Sequence, residues 1–77
     1  MEIKILGTGC PKCKSLDKLT RDAVRELDIK ANISKVEDIV EIMSYGILAT
    51  PALVIDEKIV FKGYLPSKKE IKQILTN

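Results

Sequence analysis

Apolar residues recur along the chain with two different spacings, and the change between them predicts a series of short strands and helices. Residues 3–6 are apolar apart from Lys4, which predicts a first strand that ends before Gly7 and Gly9. From residue 11 to residue 27 the apolar positions 13, 16, 19, 23 and 27 follow helical spacing instead. The chain therefore begins with a strand, a loop and a long helix.

The middle of the chain predicts a second strand and a second helix. Residues 31–36 alternate imperfectly between apolar and polar, and the length between the two strands suits a crossover connection, so they should be parallel. Glu37 and Asp38 then place negative charge in the first turn of a short helix that stops at Gly46. Four apolar residues of this helix are expected to cover the sheet: Ile39, Val40, Ile42 and Met43.

The last third of the chain predicts a hairpin. Pro51 precedes the apolar run 52–55, a position where a strand tolerates proline, and residues 58–62 form a matching run. Residues 56–57 make the turn between them, although this turn lacks the glycine that is typical of a tight hairpin.

A final helix is predicted after the hairpin, since Ser67 and Glu70 have the spacing of a capping box. Its buried side would consist of Ile71, Ile74 and Leu75. The order strand, helix, strand, helix, strand, strand, helix predicts an α/β fold, a four-stranded mixed sheet with helices on both faces. At 77 residues we expect one domain over positions 1–77.

Composition and charge exclude several classes of function. Thirteen basic and eleven acidic residues give a net charge of +2, the lysines are scattered, and three aromatic residues provide no stacking platform, so no nucleic-acid partner is expected. No apolar run approaches the roughly twenty residues of a membrane span, and no signal peptide is visible, so we expect a cytoplasmic protein that does not bind membranes. Two cysteines cannot build the disulfide framework of a small secreted domain.

The two cysteines stand two residues apart, where the first strand meets the long helix. Local geometry places Cys10 at the N-cap, Pro11 at the first helical position and Cys13 one turn in. A sulfur at the N-cap can accept hydrogen bonds from free backbone N–H groups and lies at the positive end of the helix dipole, which favours its thiolate. We therefore expect Cys10 to be the reactive thiol and Cys13 a shielded thiol close enough to form a disulfide with it.

Two other interpretations of this C-x-x-C remain open. The pair could be an inert disulfide or two ordinary thiols, or it could bind a metal. It supplies half of a zinc site, but the chain has no histidine. Small copper carriers also place a C-x-x-C between a first strand and helix, and soft thiolates favour Cu(I). Those carriers usually have methionine where this chain has Thr8, and they end in a strand rather than a helix.

The combination of C-P-x-C at a helix start, Thr50-Pro51 before the third strand and Gly63 after the fourth resembles the thioredoxin fold. More narrowly, the whole chain resembles the small thioredoxin-like redox-active disulfide proteins of archaea and bacteria. The resemblance implies a thiol–disulfide oxidoreductase that needs no bound cofactor and no metal. A binding module of the thioredoxin fold that does not turn over substrate is the alternative. The enzyme's partners would be disulfide-bearing protein substrates and a thioredoxin-reductase-like electron donor, and a monomer is expected. In such an enzyme Cys10 attacks and Cys13 resolves.

The resemblance also assigns a role to Thr50 and Pro51. An X-Pro bond is usually trans in folded proteins, but in this family the proline is cis and packs against the disulfide. Carried onto this chain, the backbone of Thr50 would pair with an extended substrate segment, and Pro51 would supply the face against which the two cysteines lie.

The chain departs from the family at several positions. Gly9 replaces a tryptophan, and Lys4 replaces a buried acid that usually accepts a proton. Lys4 could favour the Cys13 thiolate from beneath, or its stem could pack while its ammonium reaches water. Only Gly63 matches the glutathione-binding pattern of glutaredoxins, so a glutathione site is doubtful. Two tyrosines could line the cleft or pack as partly buried rings: Tyr45 and Tyr64.

Overall fold

Strands and helices alternate along the chain in the order β-α-β-α-β-β-α, as the sequence predicts. The computed structural model describes residues 1–9, 11–47 and 49–76. Its elements are β1 (Glu2–Leu6), α1 (Pro11–Glu26), β2 (Asn32–Val36), α2 (Ile39–Ser44), β3 (Ala52–Ile55), β4 (Lys58–Lys62) and α3 (Lys68–Thr76). Leu48 therefore lies outside the described residues, as do Cys10 and Asn77.

The four strands form one mixed sheet in the order β2-β1-β3-β4. β1 and β2 are parallel, with Ile3 opposite Ile33, which confirms the parallel pair predicted from the connection length. β3 is antiparallel to both β1 and β4, and the β3–β4 register shifts between Leu53 and Val54. The first strand is therefore internal, and the residues that follow it leave from the middle of the sheet edge.

Two separate clusters of buried side chains show that helices cover both faces of the sheet. The cluster on one face joins the sheet to α1 and α3: Ile3, Ile5, Leu16, Ala23, Leu53, Phe61, Ile71 and Leu75. The smaller cluster on the other face joins it to α2 and the loop after it: Leu6, Val36, Ile42, Ile47, Ala52 and Val54. The predicted α/β architecture with helices on both faces is confirmed.

Local sequence signals account for two of the connections. The amide of Glu70 donates to Ser67 Oγ at 3.2 Å and the amide of Ser67 donates to Glu70 Oε1 at 3.5 Å, which confirms the capping box. The hairpin turn forms without glycine, because Asp56 and Glu57 adopt φ values of 49° and 67°. Positive φ at both central residues is the geometry of a type I′ turn, and Asp is among the residues that tolerate it.

The predicted apolar face of α2 is the main error of the sequence reasoning. Of its four apolar residues only Ile42 is buried, whereas Ile39, Val40 and Met43 are exposed. The helix has six residues, fewer than two full turns, so it turns only one side chain toward the sheet. The buried Ile47, from the loop after α2, fills the remaining space.

The other differences concern element ends. Helix α1 ends at Glu26 rather than residue 27, and β2 starts at Asn32 rather than residue 31. The acids expected in the first turn of α2 precede the helix, and Asp38 is its N-cap, with a side chain that accepts a hydrogen bond from the amide of Val40 at 2.9 Å. None of the helices formed by the described residues has the length and apolar character needed to span a membrane.

Glu26 on α1 forms ion pairs with two lysines of α3. Lys68 and Lys72 each place Nζ 2.6 Å from a carboxylate oxygen of Glu26. Their hydrogen bonds, that of Lys68 first, lower the pKa of Glu26 from 4.5 to about 2. The same contact raises the pKa of Lys68.

We expect the Glu26 pair to make part of the stability depend on pH. Because the pKa of Glu26 is lower in the folded chain than its ordinary 4.5, its contribution is complete above that value and is lost as the pH falls toward 2. Urea unfolding between pH 2 and 6 should therefore show that the unfolding free energy of the wild type falls more steeply with decreasing pH than that of Glu26→Gln. Glu41→Gln, which removes a carboxylate from α2, is the control. Parallel acid profiles for wild type and Glu26→Gln would contradict this account.

Candidate active site

Cys13 lies in the first turn of α1 and is almost completely buried, with 6% of its surface exposed. It is disulfide-bonded. Its neighbour in the motif, Cys10, lies outside the described residues, so the predicted N-cap position of Cys10 is not part of the described geometry. The shielded environment expected for Cys13 is confirmed.

The N-terminal end of α1 is electrically positive. The helix begins at Pro11, as predicted, and its first turn carries Lys12 and Lys14 and no acidic residue. Four backbone N–H groups at such an end have no partner within the helix, and the helix dipole adds to their positive potential. The end of α1 at which the C-x-x-C motif stands therefore carries a positive potential.

Gly7 is the residue against which Cys13 packs. Its amide donates to the carbonyl of Val36 at 3.0 Å, so the backbone continues the sheet for one residue beyond β1. A Cβ added to Gly7 would overlap Sγ of Cys13 and come within 2.8 Å of its Cβ. The sequence predicts only that Gly7 follows the first strand, because the approach of α1 to this position cannot be derived from local spacing.

A small cavity of about 60 Å³ lies beside Cys13. It is formed where the carboxyl ends of β1 and β2 meet the start of α1. Its lining residues are Ile5, Gly7, Gly9, Cys13, Lys14, Lys35 and Glu37. The crevice beyond the carboxyl ends of adjacent parallel strands whose helices pack on opposite faces is a common ligand position in α/β folds.

Charged residues of β2 and of the segment after it reach this cavity. Lys35 Nζ lies 3.4 Å from a carboxylate oxygen of Asp17 on α1. Glu37 extends toward the loop before the helix, where a Cβ added to Gly9 would be 3.7 Å from Glu37 Oε2. Sequence reasoning missed both residues as parts of the site. Their spacing of two places them on the same side of an extended chain, which is the signal that could have identified them.

The Thr50–Pro51 peptide bond is cis, which confirms the expectation based on the family resemblance. Pro51 is buried and Thr50 is half-buried. The carbonyl of Pro51 accepts a hydrogen bond from the amide of Gly63 at 2.9 Å. Gly63 has a φ of 81°, which favours glycine, and a Cβ there would lie 3.3 Å from Cβ of Ala49.

The structure separates these residues from the cavity that Cys13 lines. Neither Thr50 nor Pro51 is among the described residues lining that cavity. The cavity lies on the β2 side of β1, whereas Pro51 leads into β3 on the opposite side of β1. The predicted substrate-binding pair and the cavity therefore belong to different sides of the same sheet edge.

The side chain of Lys4 is half-buried and its ammonium lies near the surface, close to one of the two expectations, but the ammonium is held by two hydrogen bonds. Its Nζ donates to the Tyr45 hydroxyl at 2.9 Å and to Glu57 Oε1 at 2.8 Å. These contacts, first that with Glu57 and then that with Tyr45, raise its pKa. Ile3 and Ile5 pack in the cluster that contains α1, so strand alternation places Lys4 on the opposite face, with α2. The ammonium is therefore held in hydrogen bonds between α2 and the hairpin turn.

The two tyrosines have different environments. Tyr45 caps the C-terminal end of α2, packs against the smaller core cluster and accepts the hydrogen bond from Lys4. Tyr64 is 47% exposed, and its ring centroid lies 5.4 Å from that of Phe61. Tyr45 thus has a structural role. Tyr64 presents a ring to solvent next to Gly63.

Within residues 1–9, 11–47 and 49–76, no three His, Cys, Asp or Glu side chains lie close enough together to hold a metal ion. Among the described residues, the charged side chains that line the cavity beside Cys13 belong to two lysines and one glutamate.

Comparison with known proteins gives consistent matches over nearly the whole chain. A family model described as thioredoxin domain matches residues 1–76. A thioredoxin of Methanothermobacter thermautotrophicus is 42% identical over 76 residues, which cover 99% of each chain. A thioredoxin of Methanocaldococcus jannaschii is 47% identical over 73 residues, covering 95% of this chain and 84% of the relative. A probable thioredoxin of Archaeoglobus fulgidus is 30% identical over 69 residues, 86% of this chain and 75% of the relative.

Replacing Gly7 by alanine should destabilise the protein through its contact with Cys13. The added methyl group overlaps the sulfur, and overpacking of this kind costs about 1–3 kcal/mol of unfolding free energy. Chemical denaturation and thermal melting measure the loss. Gly46→Ala measures separately the cost of a methyl group at a left-handed φ of 77°, because its Cβ would meet no atom within 4 Å, and it is also expected to lose stability. A Gly7→Ala protein as stable as the wild type would show that the sulfur does not pack on this backbone.

Proposed function

Because the chain belongs to the thioredoxin family, it is a thiol–disulfide oxidoreductase, and we propose that Cys10 is its attacking thiol and Cys13 its resolving thiol. One observation supports this assignment most directly. Cys13 is disulfide-bonded and nearly buried at the positive end of α1, where a redox-active pair is expected. A shielded sulfur suits the second, intramolecular step better than the first.

The proposed reaction transfers two electrons to the substrate. The Cys10 thiolate attacks one sulfur of a substrate disulfide, the S–S bond breaks, and one substrate thiolate leaves while a mixed disulfide forms. Cys13 then loses its proton, and its thiolate attacks the Cys10 sulfur. The second substrate thiolate leaves, both substrate thiolates take up protons, and Cys10 and Cys13 remain as a disulfide.

The attacking thiol needs a pKa below that of a free cysteine. Free cysteine has a pKa of about 8.5, and a helix N-terminus in a C-x-x-C motif lowers it to about 3.5–7.5. The start of α1 at Pro11, with Lys12 and Lys14 in its first turn, provides this positive environment. We propose that Cys10 is largely ionised at neutral pH for this reason.

We propose that Thr50 and Pro51 bind the substrate next to the dithiol. The backbone of Thr50 would pair with an extended segment that carries the substrate disulfide, as in strand addition. The buried proline ring and the hydrogen bond from the Gly63 amide to the Pro51 carbonyl support a fixed backbone at this position.

Family membership implies disulfide-bearing protein substrates and a reductase partner in general terms. We further propose that the electron donor is a thioredoxin-reductase-like protein, that the enzyme acts as a monomer and that it works in the cytoplasm. A lone C-x-x-C as the redox centre suits a reducing compartment, where a separate enzyme returns it to the dithiol form.

Serine substitutions separate the roles of the two cysteines. Cys10→Ser should abolish reduction of a protein disulfide such as that of insulin, with dithiothreitol as the reductant. In Cys13→Ser, reduced beforehand and freed of dithiothreitol, Cys10 should still attack the substrate once, and a mixed disulfide should accumulate because the resolving thiol is missing. Mass spectrometry of the quenched reaction detects the adduct. Retained turnover in Cys10→Ser, or an adduct on Cys13 in the wild type, would contradict the assignment.

A further inference from the structure

Helix α2 exposes three large apolar side chains in one place. Ile39, Val40 and Met43 are 55%, 72% and 54% exposed, although the helix lies on the sheet through Ile42. Residues three and four positions apart on a helix are neighbours on its surface, so these three form one patch, here called the α2 face. A contiguous exposed apolar patch on a small protein is typical of an interaction surface.

The segment that carries the α2 face is acidic. Between Lys35 and Lys58 the sequence has five acidic and no basic residues, although the chain is basic overall. Three of these acids stand beside the α2 face in the sequence and are here called its acidic border: Glu37, Asp38 and Glu41. None of these three takes part in an ion pair among the described residues. The α2 face therefore combines an apolar centre with a negative border.

The α2 face begins next to the redox site. Glu37 lines the cavity beside Cys13 and extends toward Gly9, the residue before Cys10. Ile39 follows Glu37 by two residues and starts the helix. A molecule that reacts at the dithiol can therefore extend onto this surface without leaving the protein.

The charges argue against a second copy of this chain as the occupant. In a twofold-symmetric contact the same patch meets itself, so Glu37 and Glu41 of one copy would approach the same acids of the other. Like charges placed opposite each other disfavour association, whereas Lys or Arg side chains would complement them. The occupant that fits the α2 face is apolar at its centre and basic at the edge that meets Asp38 and Glu41, since the start of α1 carries Lys12 and Lys14.

We propose that the α2 face docks the segment of a substrate protein that flanks its disulfide, when that segment presents apolar side chains beside lysine or arginine. The proposal rests on the proposed function in taking Cys10 and Cys13 as the reacting pair. Burial of apolar side chains on the α2 face supplies affinity. The acidic border supplies selectivity and faster encounter, both of which weaken as salt is added.

Synthetic peptides of equal length, each closed by one disulfide, test this proposal. One carries lysine and leucine beside the disulfide, the second lysine and serine, and the third glutamate and leucine. The protein is reduced before it is mixed with each peptide, and dithiothreitol keeps it reduced during turnover, so no reductase is needed. The measured quantity is kcat/KM for reduction of the peptide, after subtraction of the rate with dithiothreitol alone. The wild type should favour the lysine–leucine peptide by about tenfold over either of the others, and salt should reduce its preference over the glutamate peptide.

Substitutions of exposed residues test whether this peptide preference arises from the α2 face. The double variant Val40→Ser with Met43→Ser should lower kcat/KM for the lysine–leucine peptide about tenfold, while the same change at Ile59, 41% exposed on β4, should not. Glu41→Gln should lower the preference for lysine over glutamate about threefold. Gln73→Lys on α3, which changes the net charge by the same amount, should leave that preference unchanged.

Several results would overturn the proposal. Equal kcat/KM for the three peptides would do so. A wild-type dimer in analytical ultracentrifugation that the double variant disrupts would assign the α2 face to a second copy. If the double variant reduced the peptides at an unchanged rate but was itself re-reduced more slowly by a reductase, the α2 face would be assigned to the electron donor. Failure of the wild type to reduce even the small disulfide of Ellman's reagent would instead overturn the proposed function.

Discussion

The contact between the sulfur of Cys13 and the backbone of Gly7 connects the parts of this structure on which the redox site depends. It joins the first turn of α1 to the sheet at the point where β1 ends, and it leaves no room for a side chain at position 7. Because Gly7 continues the hydrogen bonding of the sheet through Val36, the sulfur lies against rigid backbone. Close approach to backbone is the usual reason for glycine at such a position. The shielding of one cysteine follows from this contact.

Helices cover the two faces of the sheet to different extents. On the α1 and α3 face, a larger cluster of apolar residues lies beneath ion pairs that join Glu26 on α1 to two lysines on α3. On the other face α2 is too short to cover the sheet and contributes one buried residue, Ile42. The Lys4 hydrogen bond to Tyr45 holds the C-terminal end of this helix to the first strand. The apolar residues that do not reach the core remain on the surface beside the site, where they can serve recognition.

Local patterns in the sequence were sufficient to predict the elements and their order. The bounds of β3 and β4, the start of α1 at Pro11 and the Ser67–Glu70 box each depend on a few neighbouring residues, and all are as predicted. The exposure of α2, the partners of Lys4 and the packing of Gly7 depend on contacts between distant segments, which periodicity does not encode. Apolar composition alone does not distinguish a residue that packs from one that stays exposed for a partner.

The difference between the two thiols tests this account most directly. The fully reduced protein is treated with iodoacetamide from pH 5 to 10, and modification of each cysteine is followed separately by mass spectrometry. We predict that Cys10 reacts at least about tenfold faster than Cys13 at pH 7, with an apparent pKa below the free value of about 8.5. Cys13 should become equally reactive only when the protein is unfolded. Equal rates for the two thiols in the folded protein, or an apparent pKa of Cys10 above that of free cysteine, would contradict the account.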